Sequence, residues 1–204
     1  MKARRLLYYT LAVFLSGCVP VISLHQLYTE KDIVMDKKLC GTWVDDPNKP
    51  KSIWEFESIA EPKNAYKLIF TDEEGKKGSF VTYLVKLKDK FFLDVYPSGL
   101  PCEPQDPNKM EWTYNSFFLI PAHTFLQVDS IEPQLKLRIT LQSKMEDLLK
   151  ENPGAVDHTY VGDRLVLTAS AKELQAFVLK YADDDRVFTS QVTLSRKEPK
   201  AGTP

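Results

Sequence analysis

The sequence of 204 residues is long enough for one domain, or for one domain with extensions, and its formal net charge is −1 at pH 7. With 43% hydrophobic and 27% charged residues, its composition excludes an intrinsically disordered chain, a collagen-like repeat and a polytopic membrane protein. The near-neutral charge argues against a dedicated nucleic-acid-binding protein, which normally carries a basic excess. Three cysteines are too few for a small disulfide-built scaffold, and their odd number leaves at least one outside any intramolecular pair.

The first residues have the charge and hydropathy pattern of an export signal. Three basic residues within the first five precede an apolar stretch over 6–14, and small residues follow at 16–17. This order is typical of a secretory signal peptide. The apolar stretch is well short of the ~20 residues that a membrane-spanning helix needs. We therefore expect residues 1–17 to be removed on export, the alternative being an uncleaved membrane anchor.

Leu15-Ser16-Gly17-Cys18 resembles the lipobox of bacterial lipoproteins. In that family the cysteine thiol receives a diacylglyceryl group, the signal is cut before the cysteine, and the new amino group often gains a further acyl chain such as palmitate. The resemblance implies that Cys18 is the lipidation site and that the membrane is a partner, on its non-cytoplasmic side. Each buried methylene contributes about 0.8 kcal/mol, so two or three acyl chains hold a protein firmly. The valine at position 19, where inner-membrane retention often uses aspartate, favours the outer membrane in a Gram-negative source.

Loss of the signal would also change the charge of the chain. It would remove Lys2, Arg4 and Arg5 and no acidic residue, which shifts the formal net charge from −1 to −4. The mature surface then has no overall attraction for anionic lipid headgroups. Anchoring would therefore depend on the acyl chains.

Cys40 and Cys102 remain as a pair in an exported chain. Oxidising compartments favour a disulfide between such residues, and closure of so long a loop would stabilise the fold. The alternative is two separate thiols, Cys40 buried as a small apolar residue and Cys102 in a loop. Neither cysteine has CxxC spacing, so a thiol-redox role has little support.

Most of the remaining sequence predicts short strands. Residues 18–39 are apolar enough to form a strap that packs on the domain, with about half of it ordered. Residues 40–196 predict a single β-rich domain, and 197–204 a disordered tail. Alternation and aromatic content predict strands at 52–58, 65–71, 79–87, 91–96, 111–120, 123–131, 135–141 and 188–194. Four prolines predict a loop over 97–109.

Two short helices are expected among the late strands. Ser143 with Glu146 and Ser170 with Glu173 each have capping-box spacing before an apolar stripe. Between the helices, residues 158–168 predict a hairpin. The fold class is therefore α+β and mainly β, an antiparallel meander that forms a barrel or a strongly curved sheet.

Gly41-Thr42-Trp43, at the start of the first body strand, is similar to the Gly-x-Trp element of lipocalins. In that family the tryptophan closes the narrow end of a barrel that encloses a pocket for small apolar ligands. The resemblance implies such a ligand, although two helices among the late strands depart from the family's single terminal helix. The alternative is that Trp43 simply fills the core of a sheet.

Motifs for catalysis and metal binding are not found. His25, His123 and His158 match no metal-ligand spacing, and the chain has no HExxH, GxSxG, GxGxxG or P-loop sequence. The acidic runs at 45–46 and 183–185 lack the spacing of an EF-hand and predict solvated turns. We therefore expect no enzyme, no cofactor and no metal site, a hydrolase with a scattered site being the weakest alternative.

Aromatic residues on successive predicted strands would line the interior of a barrel, either as a solid core or as a ligand pocket. These two kinds of interior correspond to two expected functions. The first is a lipid-anchored envelope protein that binds a small apolar ligand, and the alternative is an interaction or scaffolding lipoprotein with a solid core and an envelope protein partner. Neither needs nucleic acid.

Overall fold

The computed structural model describes residues 19–98 and 119–197, and the structural statements below concern these two stretches. Their strands are β1 Ile22–Ser23, β2 Ile33–Val34, β3 Gly41–Val44, β4 Ile53–Ile59, β5 Ala65–Thr71, β6 Lys77–Leu87, β7 Lys90–Pro97, β8 Thr124–Ser130, β9 Gln134–Ile139, β10 His158–Val161, β11 Arg164–Leu167 and β12 Ser190–Arg196. Their helices are α1 Gln142–Glu151 and α2 Ala171–Lys180, and 3-10 turns lie at Glu30–Asp32 and Lys37–Leu39.

Eight of these strands form a closed antiparallel barrel. Their order is β6-β5-β4-β3-β12-β9-β8-β7, and β7 pairs back onto β6 to complete the ring. Strand β2 extends the pairing of β6 beyond the end of β5. The mainly β class, the antiparallel meander and the late helices are confirmed, and of the two predicted forms the sheet adopts the barrel.

Strand β6 shows how the sequence forms both sides of the barrel wall. Phe80 and Leu84 pack inside the barrel, whereas Tyr83, Val85 and Leu87 pack on its outer face. Successive side chains in a strand point to opposite faces, so an apolar residue at nearly every position requires cover on both sides. The outer cover comes from the helices and the N-terminal segment.

Two hydrophobic clusters result. The interior cluster consists of the side chains at 39, 43, 56, 66, 68, 84, 93, 95, 126, 128, 135, 137 and 194. The outer cluster lies between the barrel wall and the two helices, with Phe92 against Phe188 at a ring-centroid distance of 5.7 Å. Phe188 was assigned to the last strand from sequence, but it precedes β12 and packs in this outer cluster.

A helical insertion between β9 and β12 contains α1, the β10–β11 hairpin and α2. The hairpin turns at Gly162, whose φ of +64° lies in the left-handed region that favours glycine. Strand β1 pairs in parallel with β11, which makes a second, three-stranded sheet in the order β1-β11-β10. The antiparallel pairing of β10 with β11 confirms the hairpin predicted over 158–168.

Of the two predicted capping boxes, the one at Ser170 is present and the one at Ser143 is absent. Ser170 caps α2, and the side chain of Glu173 accepts from the Ser170 backbone N–H at 2.8 Å. Ser143 does not cap α1, because that helix begins two residues earlier than predicted, with Leu141 at the N-cap position. The N–H of Gln142 instead donates to the Val19 carbonyl at 2.9 Å, so a distant part of the chain satisfies the helix start.

Replacement of Ser170 by alanine should therefore lower the free energy of unfolding by about 1 kcal/mol, the usual loss for a serine N-cap. The same substitution at Ser143 removes no cap and should change stability by less than about 0.5 kcal/mol. Urea denaturation of the two variants measures the difference. Equal losses would contradict the assignment of the caps.

Some predicted segments fall partly or wholly outside the described residues. This holds for the Pro-rich loop beyond Ser98, for 111–118 of one predicted strand and for the tail from 198 onward. Leu119 and Ile120, the last residues of that predicted strand, are described and are not in a strand.

The barrel has two ends, which we name by what lies at each. At the cap end, the 3-10 turn Lys37–Leu39 leads into β3, and β12 ends beside it. At the helix end, β9 leads into α1, and the connections at 45–52 and 72–76 lie at the same end because the strands alternate in direction.

Candidate functional site

Trp43 and Arg196 form a contact between β3 and the end of β12, which we call the seal. Trp43 is fully buried, and its indole N–H donates to the Leu39 carbonyl at 2.8 Å. The Arg196 guanidinium lies 4.3 Å from the centre of the Trp43 ring, a cation–π geometry. It also donates to the carbonyls of Cys40 at 2.8 Å and Lys38 at 2.5 Å, and so ties the last strand to the turn that precedes the first.

Glycine at position 41 leaves room for the Arg196 guanidinium in this seal. Its φ is +130°, and a Cβ at this position would lie 2.4 Å from Nη1 of Arg196. Both the backbone conformation and the approach of the guanidinium therefore require glycine. Within Gly41-Thr42-Trp43, the glycine and the tryptophan thus each have a defined structural role at the cap end.

The helix end of the barrel interior is less completely packed. Trp54, Phe70 and Phe80 point inward there and are only partly buried, whereas the interior residues near the cap end are fully buried. The rings of Trp54 and Phe70 meet edge to face at 5.2 Å. We call these three side chains the aromatic mouth.

Polar groups accompany the aromatic mouth. The fully buried Thr82, one inward position beyond Phe80 on β6, has a hydroxyl without a hydrogen-bond partner among the described residues. The indole N–H of Trp54 is likewise buried without a partner there. Since buried polar groups are normally hydrogen-bonded, these two could accept or donate to the polar end of an otherwise apolar ligand.

The N-terminal segment 19–39 runs along the outside of the barrel from the helix end to the cap end, and we call it the strap. It is held first at the helix end, where Pro20 bridges to Leu141 and the Val21 N–H donates to the Thr140 carbonyl at 3.0 Å. The Arg164 guanidinium also donates to the Pro20 carbonyl at 3.1 Å. The strap is thus fixed to the domain from its first described residues.

The middle of the strap is held by a buried carboxylate. Asp94 on β7 is fully buried on the outer face of the barrel, and its Oδ2 accepts from the Leu27 N–H at 2.6 Å. Its other oxygen lies 2.6 Å from Nδ1 of His123. On the solvent side, Gln175 of α2 donates to the Leu27 carbonyl at 2.9 Å. Because both carboxylate oxygens are engaged, Asp94 joins the strap and β8 to the barrel wall.

Tyrosines surround this carboxylate. The rings of Tyr28 and Tyr83 lie 4.4 Å apart, and Tyr96 packs on His123 at 4.8 Å. Burial raises the pKa of Tyr28 above its ordinary value, with further contributions from Tyr83 and the Asp94 carboxylate. Burial also raises the pKa of Tyr83. Tyr28 and Tyr83 therefore stay un-ionised at neutral pH.

No pattern in the sequence predicts that His123 and Asp94 lie together. The two residues are far apart in sequence and form no motif, and only the packing of β7 beside β8 makes them neighbours. One signal was available, since Asp94 is the only charged residue in the otherwise apolar run 91–96. A charge inside a buried strand normally has a specific partner.

The other residues singled out from sequence lie apart from this cluster. Cys18 and Cys102 are outside the described residues, so lipidation and the disulfide both stay predictions, and Cys40 is half-buried beside the cap end. The ring of His158 bonds within its own segment to the Val156 carbonyl at 2.9 Å. His25 is exposed next to Ser23 on the strap.

The acidic run 183–185 forms ion pairs. Asp183 lies 2.8 Å from Lys90, and hydrogen bonds from Arg186 lower the pKa of Asp184 below its ordinary value. Among the described residues, no three His, Cys, Asp or Glu side chains come together in a way that could hold a metal ion. The run is thus part of the turn after α2.

Comparison with known proteins gives no relative: no family model, curated protein or solved structure matches the chain. Within the described ranges, neither helix has the length and hydropathy needed to cross a membrane. The barrel class and the geometry above are therefore the basis for any functional conclusion.

Proposed function

We propose that this protein is a lipid-anchored bacterial envelope protein that binds a small apolar ligand at the helix end of its barrel. The observation that supports a ligand is the aromatic mouth, where inward-facing rings stay partly exposed although Trp43, the cross-strand neighbour of Trp54, is fully buried. Ligand sites are typically concave and apolar with a few placed polar groups. Thr82 supplies such a group directly beyond the rings.

The anchor rests on Leu15-Ser16-Gly17-Cys18 and on the charged and apolar segments before it. The structure of the strap is compatible with this proposal. The first described residue after Cys18 is Val19, whose carbonyl is bonded at the start of α1 on the surface of the domain. The acyl chains on Cys18 would therefore extend from the surface of the domain, away from its core.

A second candidate is an interaction module with a solid core. Complete burial of the interior residues near the cap end favours it, because side chains fill this part of the barrel. The two candidates differ in whether the aromatic mouth takes up an apolar molecule.

The anchor is tested by replacing Cys18 with alanine in a bacterial host. The wild-type chain should stay in the membrane fraction through salt and carbonate washes, and the C18A variant should leave it, because its acyl chains are lost. Cys40→Ala is the matched control and should behave as wild type. Retention of C18A in the membrane would contradict the acyl anchor and favour the uncleaved apolar segment.

Ligand binding is tested with the fluorescent apolar probe N-phenyl-1-naphthylamine. The wild-type protein should give a saturable rise in fluorescence, and Phe80→Asp should weaken binding by at least about tenfold, because it places a carboxylate among the aromatic rings. Met35→Asp on the exposed part of the strap is the matched control. Circular dichroism would verify that each variant is folded.

Extraction of the purified protein with organic solvent gives an independent measure. A lipid that co-purifies with the wild-type chain and is depleted in F80D would support the proposal. No saturable probe signal and repeatedly empty extracts would contradict it and favour the interaction module.

A further inference from the structure

The attachment point of the proposed lipid has almost no freedom relative to the domain. Consecutive Cα atoms are 3.8 Å apart, and Val19 is held through its carbonyl by the N–H of Gln142 at 2.9 Å. The next residue, Pro20, is bonded to Arg164 and bridged to Leu141. A lipidated Cys18 would therefore draw one particular face of the domain against the bilayer, since no flexible linker separates them.

The β10–β11 turn belongs to that face. Strand β1 runs parallel to β11, so the end of β1 that is nearest to Cys18 lies beside the start of β11, where the turn is. The carbonyl of Asp163 in this turn accepts from the Gln142 side chain at 2.6 Å. The start of α1, the turn and the start of the strap therefore form one surface.

The end of the β10–β11 hairpin exposes an apolar side chain on each of its two faces. Tyr160 is 49% exposed and Val161 is 66% exposed, and both directly precede the turn. Tyrosine is enriched where proteins meet the membrane–water interface, because its ring is apolar and its hydroxyl is polar. The charged residues beside Val19 on this surface are Asp163, Arg164 and Glu146, so contact here does not depend on electrostatic attraction to anionic lipid.

We propose that Tyr160, Val161 and the turn after them rest in the interfacial region of the bilayer to which Cys18 is anchored. This inference rests on the proposed lipid anchor and adds an orientation to it. A membrane is the occupant that the position of the chain start favours, because the acyl chains would insert beside these residues. The apolar contact and the acyl chains would then act together, as two membrane signals do in other anchored proteins.

The orientation has a consequence for the barrel. The strap begins beside Thr140 and Leu141, which directly follow β9 at the helix end. The aromatic mouth lies at that same end, where Trp54 is the second residue of β4 and Phe70 is the last but one of β5. The mouth is therefore on the bilayer side of the domain, where an apolar ligand could pass between membrane and barrel with little exposure to water.

Hydrogen exchange on the full-length chain tests the contact. The wild-type protein, bound to phosphatidylethanolamine–phosphatidylglycerol vesicles, is compared with C18A protein mixed with the same vesicles. Amides at 160–164 should exchange at least about threefold more slowly in the bound wild type, because the interface restricts their access to water. Amides at 60–64, which lie at the cap end, should not change.

A variant in which Tyr160 and Val161 are both serine should stay on the vesicles through its lipid and lose the slow exchange. Thr159→Ser, on the same strand, is the control and should keep it. Wild-type protein that fails to bind vesicles would overturn the proposed anchor itself. Bound wild type with unslowed exchange at 160–164 would overturn this inference alone. Slow exchange that appears only at high surface density would indicate a second copy of the chain as the occupant and would also overturn it.

Discussion

Replacement of Asp94 by alanine is expected to lower the free energy of unfolding by about 3–5 kcal/mol, since it removes one partner of a buried pair. The carboxylate is fully buried and accepts from the Leu27 N–H at 2.6 Å while facing Nδ1 of His123 at 2.6 Å. Alanine would leave both groups without their partner beneath the strap. Each unsatisfied buried group costs about 1–3 kcal/mol, and urea denaturation measures the sum.

Asp147→Ala is the matched control for this experiment. Asp147 pairs with Lys150 on the surface of α1, where both side chains are more than half exposed, so its loss should change stability by less than about 0.5 kcal/mol. Asp94→Asn retains the size of the side chain and an oxygen for Leu27, and should cost less than alanine. If D94A proved no more damaging than D147A, Asp94 would not hold the strap.

The D94A substitution should also loosen the strap before the barrel unfolds. Leu27 contributes a fully buried side chain to the outer cluster, and its N–H is held by Asp94. Limited proteolysis of D94A should therefore cleave within 24–36 faster than in wild type, while cleavage of the barrel strands stays slow. Uniformly faster cleavage would indicate a global loss of stability instead of a local one.

A second large effect is expected at the cap end, where Gly41→Ala should cost about 2–4 kcal/mol of unfolding free energy. The φ of +130° is strained for any residue with a Cβ, and that Cβ would lie 2.4 Å from Nη1 of Arg196. The guanidinium would have to leave the Trp43 ring and two carbonyls. The loss therefore combines backbone strain with the broken seal.

Gly75→Ala separates these two contributions. Gly75 also has a positive φ, +80°, but no atom lies within 4 Å of a Cβ built there, so this variant reports backbone strain alone. The double variant G41A with Arg196→Met should be less damaging than the sum of its single substitutions, because the clash is removed along with the arginine. Strict additivity, or an equal loss at Gly75, would contradict the steric coupling of Gly41 to Arg196.

How much of this fold was available from sequence can be judged at individual elements. Alternation and turn chemistry predicted the strands around 65–71, the hairpin at Gly162 and the Ser170 cap, because each depends on residues close together in the chain. The predicted cap at Ser143 was wrong, because the start of α1 depends on a residue that is distant in sequence. The start of α1 is satisfied by the carbonyl of Val19, which no local pattern contains.

The candidate sites also differ in whether the sequence alone predicts them. The lipobox at Cys18 is a contiguous motif and needs no fold to be recognised as a resemblance. The Asp94–His123 pair and the Arg196–Trp43 contact instead need the pairing of β7 with β8 and of β12 with β3. Their partners are far apart in sequence, so periodicity and spacing have no information about them.

The sequence by itself determined the class of this protein, a mainly β domain with two late helices, because hydrophobic periodicity, capping and turn residues act over a few positions. Its odd number of cysteines also led to the predicted anchor at Cys18. Only the tertiary structure decided that Arg196 packs on Trp43, that the strap is held by Asp94, and that the aromatic mouth and the start of the strap share one end. Those features depend on long-range pairing of strands, which the pattern within a single strand does not specify.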